Sequence, residues 1–320
     1  MIKTIKLFLL SFLFMSGALF ASGPHIEIFG DALYWTVGES IDWIVSLKQG
    51  THDGFTSYKT LTFNWDVGFR AGIGYSNDRS LWETQLYYTH FSTKTEAHAK
   101  VVEGEQLVPT FLGNRTASDS LFTFNYAFGK ASWNLAFDIA DWDVRRRIPL
   151  SQAFMICPSI GLKGGTIKQH IYSKWYNPHL FIIFGPLSAT ENLKNDFAGI
   201  GPKGGVDLKW TLGSLISLFG DFSGAYLWGK WTIKDHYKNS HGEKAIVTVG
   251  KRKFGSPVFR AFLGLMYDHP LRRDQSHLSV QLGYEIQDWL NQFQIFDNGT
   301  GGNAGDLVLQ GVTGRFQFQF

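Results

Sequence analysis

The chain has 320 residues, of which 44% are hydrophobic, 16% aromatic and only 18% charged, and its formal net charge is +3. So small a charge, without a patch that joins basic to stacking residues, excludes a nucleic-acid partner; the single cysteine, Cys157, excludes an internal disulfide and a thiolate metal cluster. No segment after residue 21 offers ~18 uninterrupted apolar residues, which excludes membrane-spanning helices.

The first element in chain order is a secretory leader. Lys3 and Lys6 precede a short apolar run at residues 7–14, followed by the small residues Ser16, Gly17, Ala18 and Ala21. Cleavage is expected after Ala18 or Ala21, which gives a leader over 1–21 and one domain over 22–320. Weaker strands are predicted at 26–37 and 43–47. Strict alternation then begins. Over 66–75, Val67, Phe69, Ala71, Ile73 and Tyr75 share one face, while Gly68, Arg70, Gly72 and Gly74 share the other. The same period recurs at 81–91, 131–139, 206–212 and 278–286. Each time a large-apolar face opposes a polar or glycine face, and the apolar face is assigned to lipid and the polar face to a lumen.

Further weak strands are predicted at 120–128, 154–163, 167–175, 215–231, 245–249 and 259–267. Turns are placed at 76–80, 148–152 and 269–276, and external loops at 94–119, 176–196, 234–244 and 297–305. At the C-terminal end, Phe316, Phe318 and Phe320 alternate with Gln317 and Gln319. A last strand of this kind resembles the signal read by the bacterial outer-membrane barrel-assembly machinery. The expected fold is all-β: a transmembrane antiparallel barrel of about 12 strands, within a range of about 10–16.

Several short stretches carry a resemblance. They are Gly30-Asp31-Ala32-Leu33-Tyr34-Trp35, the run from Gly68 to Tyr75, Tyr88 to Lys94, Pro158 to Gly165, Gly199 to Val206, and Asp306 to Gly311. In this order the chain resembles the pore-forming, major-outer-membrane-protein-like family of Legionella and environmental Chlamydiales. The resemblance implies a pore-forming barrel in a Gram-negative outer membrane. It departs from the cysteine-rich chlamydial members in having only Cys157.

The sharpest sign of an enzyme is His90-Phe91-Ser92. Spacing of two puts both side chains on one strand face, so His90 could act as general base to Ser92 in a lipid hydrolase; no third residue that would orient His90 is evident, and an interfacial His and Ser is the plainer reading. The ten histidines are scattered, so no metal is expected, and no cofactor motif occurs. The glycines between 199 and 205 suggest a bend or bulge. Arg145-Arg146-Arg147 suits a constriction, a lipopolysaccharide contact or a periplasmic strand end. The candidate lumen charges are Arg70, Glu83, Asp138, Lys163, Asp207, Lys209, Glu285 and Arg315, whose mixed signs predict weak ion selectivity.

The sequence therefore predicts a porin-like pore for small solutes or ions, with a closed structural or adhesive barrel as one alternative and the His90–Ser92 hydrolase as another. Expected partners are outer-membrane lipid, lipopolysaccharide, the assembly machinery and further copies of the chain.

Overall fold

The computed structural model describes residues 24–39, 42–49, 54–77, 81–101, 105–109, 126–176, 188–240, 242, 244–272, 276–297 and 301–320. The leader over 1–21, most of the strand expected at 120–128, and the centres of the loops expected at 94–119 and 176–196 lie outside the described residues. Ten strands close into an antiparallel ring. They are β1 (Pro24–Glu39), β4 (Asp66–Asn77), β5 (Trp82–Lys100), β7 (Phe128–Arg146), β9 (Phe154–Tyr176), β10 (Ser188–Thr211), β11 (Ile216–Asn239), β12 (Lys244–Arg272), β13 (Ser276–Asp297) and β14 (Gly301–Gln319). Closure comes from β14 pairing with β1, from Glu27↔Gln319 to Glu39↔Leu307. Three shorter strands, β2 (Asp42–Gln49), β3 (Gly54–Thr60) and β6 (Glu105–Pro109), form a separate sheet, and the two-residue β8 (Ile148–Pro149) adds to β9.

Ten is the lower end of the expected range, and the reason is strand length. The stretches expected as separate strands at 154–163 and 167–175 are one strand, β9, and those at 245–249 and 259–267 are both in β12. The 43–47 segment belongs to β2, outside the ring. All four predicted loops begin or end inside strands, because β5 runs on to Lys100, β10 starts at Ser188, β11 continues to Asn239 and β14 starts at Gly301. A tilted crossing needs only ~9–11 residues. Strands of 24 residues in β10 and β11 and 29 in β12 therefore rise well beyond a bilayer.

The expected bend at 199–205 is straight strand paired without interruption to β9. The irregularity is confined to the β11 side, where pairing skips Gly201 and Pro202. Pro202 has no N–H to donate, and a Cβ on Gly201 would lie 1.8 Å from the Tyr226 carbonyl oxygen.

Short connections join β4–β5, β7–β9, β10–β11 and β12–β13 at the end that also holds Pro24 and Phe320; the long connections β1–β4, β5–β7 and β9–β10 emerge at the other end, together with the short β11–β12 and β13–β14 connections. Short turns face the periplasm and long loops the exterior in such barrels. In the turn half, the exposed outer face carries a row of apolar residues on neighbouring strands: Phe318, Ile28, Ile73, Leu86, Trp142 and Leu162. This is the lipid belt. Higher on the same outer face of β7 come Asp138, Asn134, Ser132 and Lys130.

The interior changes in the opposite sense. In β7, residues 129–143 point inward at every odd position, but Asp141 and Asp143 give way to Ile139, Phe137, Leu135 and Trp133, which are 0–2% exposed. The apolar face of 131–139, expected toward lipid, is thus the core of the loop half. The correction has a physical reason: above the belt water lies outside the ring, so the hydrophobic effect drives large side chains inward.

Candidate functional site

The interior has two layers, and each is built by the same alternation. In the turn half the layer is charged. Arg70 on β4 donates to Asp31 Oδ2 at 2.8 Å and to Glu285 Oε1 at 2.7 Å. Arg260 on β12 donates to the same Glu285 oxygen at 2.6 Å and also bonds Asp221. Arg315 grips Asp31 through Nε at 2.7 Å and Nη2 at 2.9 Å. Thr313 adds a hydroxyl to Glu285 Oε2 at 3.0 Å. A second cluster joins β5, β7, β9 and β10. Lys203 contacts Asp143 at 2.7 Å, Asp141 at 3.1 Å and the Tyr87 hydroxyl at 2.6 Å, while Lys163 contacts Asp141 at 3.1 Å. Nearer the turns, Arg145 bridges Glu83 at 3.2 Å and Asp207 at 3.0 Å, and Lys209 meets Asp268 at 2.6 Å.

These contacts run between strands, so they fix the ring's cross-section at membrane depth. A buried charge of this kind is tolerable only when paired and hydrogen-bonded. Glu285, 0% exposed, accepts from Arg70, Arg260, Gln287 and Thr313.

The loop half is filled differently. Trp133 packs on Phe63 and Phe293, with ring centroids 5.6 and 5.0 Å apart; Phe137 packs on Trp289 and Phe197 on Trp231. Part of this plug comes from outside the ring. Trp43 and Ile44 on β2, Leu107 on β6, and Leu61 and Phe63 from the irregular segment 61–65 are all buried in it. Trp43 reaches Trp175 on β9, at 5.5 Å between centroids.

The wall around the plug has two seams. β4 pairs with β5 only up to Phe69↔His90. Above that, segment 61–65 takes β4's place, held where Thr95 donates to the Thr62 carbonyl at 2.7 Å and Thr36 to the Phe63 carbonyl at 3.1 Å. Between β12 and β13 pairing stops at Val258↔Trp289. There the register of β13 shifts, and Asn291 adopts φ of 56°. The following residues lean inward: Trp231 donates to the Gln292 carbonyl at 3.1 Å, and Asn195 to that of Gln294 at 3.0 Å.

Of the eight lumen charges expected from sequence, the structure places Arg70, Lys163, Glu285 and Arg315 within the buried layer, and Glu83, Asp207 and Lys209 at its turn-side rim. Asp138 is different. It faces outward, where its Oδ1 takes a 2.7 Å hydrogen bond from His90 Nδ1 and a 2.5 Å bond from the Tyr88 hydroxyl. The cause is the inverted face of β7: the polar parity at Asp138 is the outer one. Asp138 is also the carboxylate partner of His90 that the sequence did not reveal, being 48 positions away and opposite it across the β5–β7 ladder. His90 also stacks on Phe69, 5.5 Å between centroids. The His90 Nδ1 bond to Asp138 links β5 to β7 on the outer face, and among the described residues no hydrogen bond joins His90 to the exposed Ser92.

Sequence reasoning missed Asp31, Tyr87, Asp141, Asp143, Lys203, Asp221 and Arg260 as members of the layer. The parity of Arg70 with its register partner Asp31 would have found the first. Asp141 and Asp143 were hidden because they continue the parity of Trp133. Arg145, Arg146 and Arg147 lie at the turn end, Arg145 inward and Arg146 outward beside Trp82. Phe316, Phe318 and Phe320 line the exposed outer face, and Phe320 exchanges two backbone bonds with Ile26.

The sequence model of the family described as Legionella pneumophila major outer membrane protein precursor matches residues 24–320. No curated protein is matched by the chain. Among solved structures it is similar to a major outer membrane protein from Thermus thermophilus, at 10% identity, TM-score 0.34, and 93% and 100% coverage of this and that chain. It is also similar to the outer membrane protease OmpT from Escherichia coli, at 8% identity, TM-score 0.37 and coverage of 92% and 96%. A Pseudomonas aeruginosa FadL homologue follows at 9% identity, TM-score 0.35 and coverage of 94% and 91%.

Proposed function

Since the chain belongs to the Legionella pneumophila major outer membrane protein family, and is an outer-membrane β-barrel, we propose that it is a pore for small ions and polar solutes, closed in the state described by its loop-half plug. The observation that carries this reading is the placement of charge. At membrane depth the interior is lined by Arg70, Arg260, Arg315, Lys163 and Lys203 facing Asp31, Asp141, Asp143, Asp221 and Glu285. Opposed charges across a lumen create a transverse field that acts on passing ions, and an apolar constriction gates by excluding water. The constriction here includes Trp43, Leu61 and Phe63, which belong to connecting segments rather than ring strands. Such segments can leave the mouth without opening the ring.

One observation favours a second reading. The charges at this level are matched by opposite partners at 2.6–3.2 Å, as in a structural barrel with a closed lumen. Planar-bilayer recording decides between the two. The parent and a Trp43→Ala/Phe63→Ala variant are compared after heat-dependent gel mobility confirms a folded barrel. The pore reading expects discrete channels, open longer in the variant. Folded protein that gives no channels in either form establishes the structural barrel instead.

A further inference from the structure

Immediately above the lipid belt, the outer face of β9, β10 and β11 becomes basic, and the register places basic side chains side by side. His170 lies opposite Lys194, and Lys194 lies opposite Lys234. Lys168 and Lys230 mark the lower edge of this patch and Lys238 the upper; these lysines, with Lys194 and Lys234, are all exposed. Neighbouring strands are ~4.8 Å apart, and like charges directly opposite one another repel. Counter-charge on this face is sparse. Asp196 lies opposite Lys168, and Glu96 is taken by Lys94 and Lys130 at 2.6 and 3.1 Å. Among the described residues, no carboxylate forms an ion pair with Lys194 or Lys234. A row of this kind is relieved by a polyvalent anion from outside the chain.

A second observation lies directly beneath it. On the same outer face, within the belt, Gly204 and Gly224 leave the backbone bare between Phe222, Phe259 and Ile286, forming a shallow groove of about 480 Å³. A Cβ on either glycine would meet nothing closer than 3.8 Å, so the space is open. Along β11 the outer face runs from Gly224 through exposed Tyr226 and Trp228 to Lys230. That path is about 20 Å at ~3.3 Å per residue, and Lys234 lies about 13 Å further along the strand; at a strand tilt of about 40° Lys230 stands about 15 Å above the groove, one leaflet of a ~30 Å hydrocarbon core, and Lys234 about 25 Å above it, on the head-group side. The apolar groove and the basic row thus stand in the vertical order of an acyl chain and its head group.

We propose that this face holds a phosphorylated glycolipid of the outer leaflet. Its phosphates lie on the His170–Lys194–Lys234 row and an acyl chain lies in the groove over Gly204 and Gly224. The site rests on the outer-membrane placement and not on the pore, so it stands whether or not the lumen conducts.

The test uses the full chain folded in vesicles of neutral phosphatidylcholine. The vesicles contain bisphosphorylated lipid A or the same lipid with its phosphates removed, and inorganic pyrophosphate serves as the soluble arm. Lipid retained after detergent extraction is counted by native mass spectrometry, and folding of every variant is confirmed by heat-dependent gel mobility. The phosphorylated lipid should be retained and the dephosphorylated lipid lost. K194E/K234E should cut retention by more than about tenfold, since each cation at such a surface contributes on the order of tenfold or less. Arg146→Gln, at the opposite end of the barrel, should leave it unchanged. G204L/G224L should weaken retention while leaving the salt dependence intact. Equal retention of both lipids, or K194E/K234E behaving as the parent, overturns the proposal. Pyrophosphate binding as tightly as the lipid also overturns it, in favour of a site for a soluble anion.

Discussion

The turn half and the loop half of this barrel are made by the same strands with the same inward parity, yet their chemistry is inverted. Along β7, Trp142 faces out and Asp141 and Asp143 face in; a few residues higher, Asn134 and Ser132 face out and Trp133 and Leu135 face in. The backbone does not change between these levels. What changes is the medium outside the ring. Against lipid, apolar side chains lose nothing by facing outward and polar groups must pair inside; against water, the hydrophobic effect returns the large side chains to the centre. The boundary falls where outer residues turn from Trp142 and Ala140 to Asp138. It is spanned inside by Trp289, which packs on Phe137 above and receives Lys163 over its ring, 5.4 Å to the centroid.

The comparison can be broken most forcefully at the charge hub. Replacing Glu285 by Leu leaves Arg260 with Asp221 alone and removes one of Arg70's two acids. Unpairing a buried charge costs about 3–5 kcal/mol, so urea unfolding of the barrel in lipid vesicles should show a loss of that order. A loss below about 1 kcal/mol, the range of exposed pairs, would show that water reaches this layer freely.

In the loop half, Trp133→Ala removes a fully buried indole and should cost about 3–5 kcal/mol as a cavity, in the same assay. The equivalent change at Trp142, 40% exposed on the belt, should cost less than half as much. Equal costs would mean that both tryptophans have the same surroundings.

The two outer faces are separated by adding charge. Ile73→Arg, at an outer position 52% exposed on the belt, should destabilise by about 2–4 kcal/mol. Asn134→Arg, exposed above the belt, should stay within about 0.5 kcal/mol. A large effect at Asn134 would move the membrane boundary upward and with it the basic row.

This inversion also explains what the sequence could and could not reveal. Period-2 alternation made the barrel legible, and in β4, β13 and the lower part of β5 it named the correct lipid and lumen faces, because there the large apolar residues Phe69, Ile73, Leu86 and Leu282 do face outward. In 131–139 the same pattern pointed the wrong way. Alternation states that two faces differ; it does not state which medium lies beyond either. For the same reason Asp138 was assigned to the lumen, while Asp141 and Asp143 were passed over. The pairing of His90 with Asp138, the bond of Lys203 to Tyr87 and the contact of Trp43 with Trp175 inside the ring join residues 48, 116 and 132 positions apart in the chain. Residues so far apart leave no spacing to read. The ten strands of the ring lie within the expected range; 154–163 and 167–175, expected as two strands, are one because pairing runs through Gly164–Gly165 to both neighbours.

If the two halves have separate duties, the charged layer sets which ions pass and the apolar plug sets whether they pass. Single-channel recording in a salt gradient tests this most directly, using the parent, Lys203→Gln and Trp43→Ala/Phe63→Ala. Removing the cation that neutralises Asp141 and Asp143 should shift the reversal potential toward cation preference with little change in open time. Trimming the plug should lengthen openings and leave the reversal potential in place. Channels in which Lys203→Gln alters only the open time, or folded barrels that never conduct, would contradict the account.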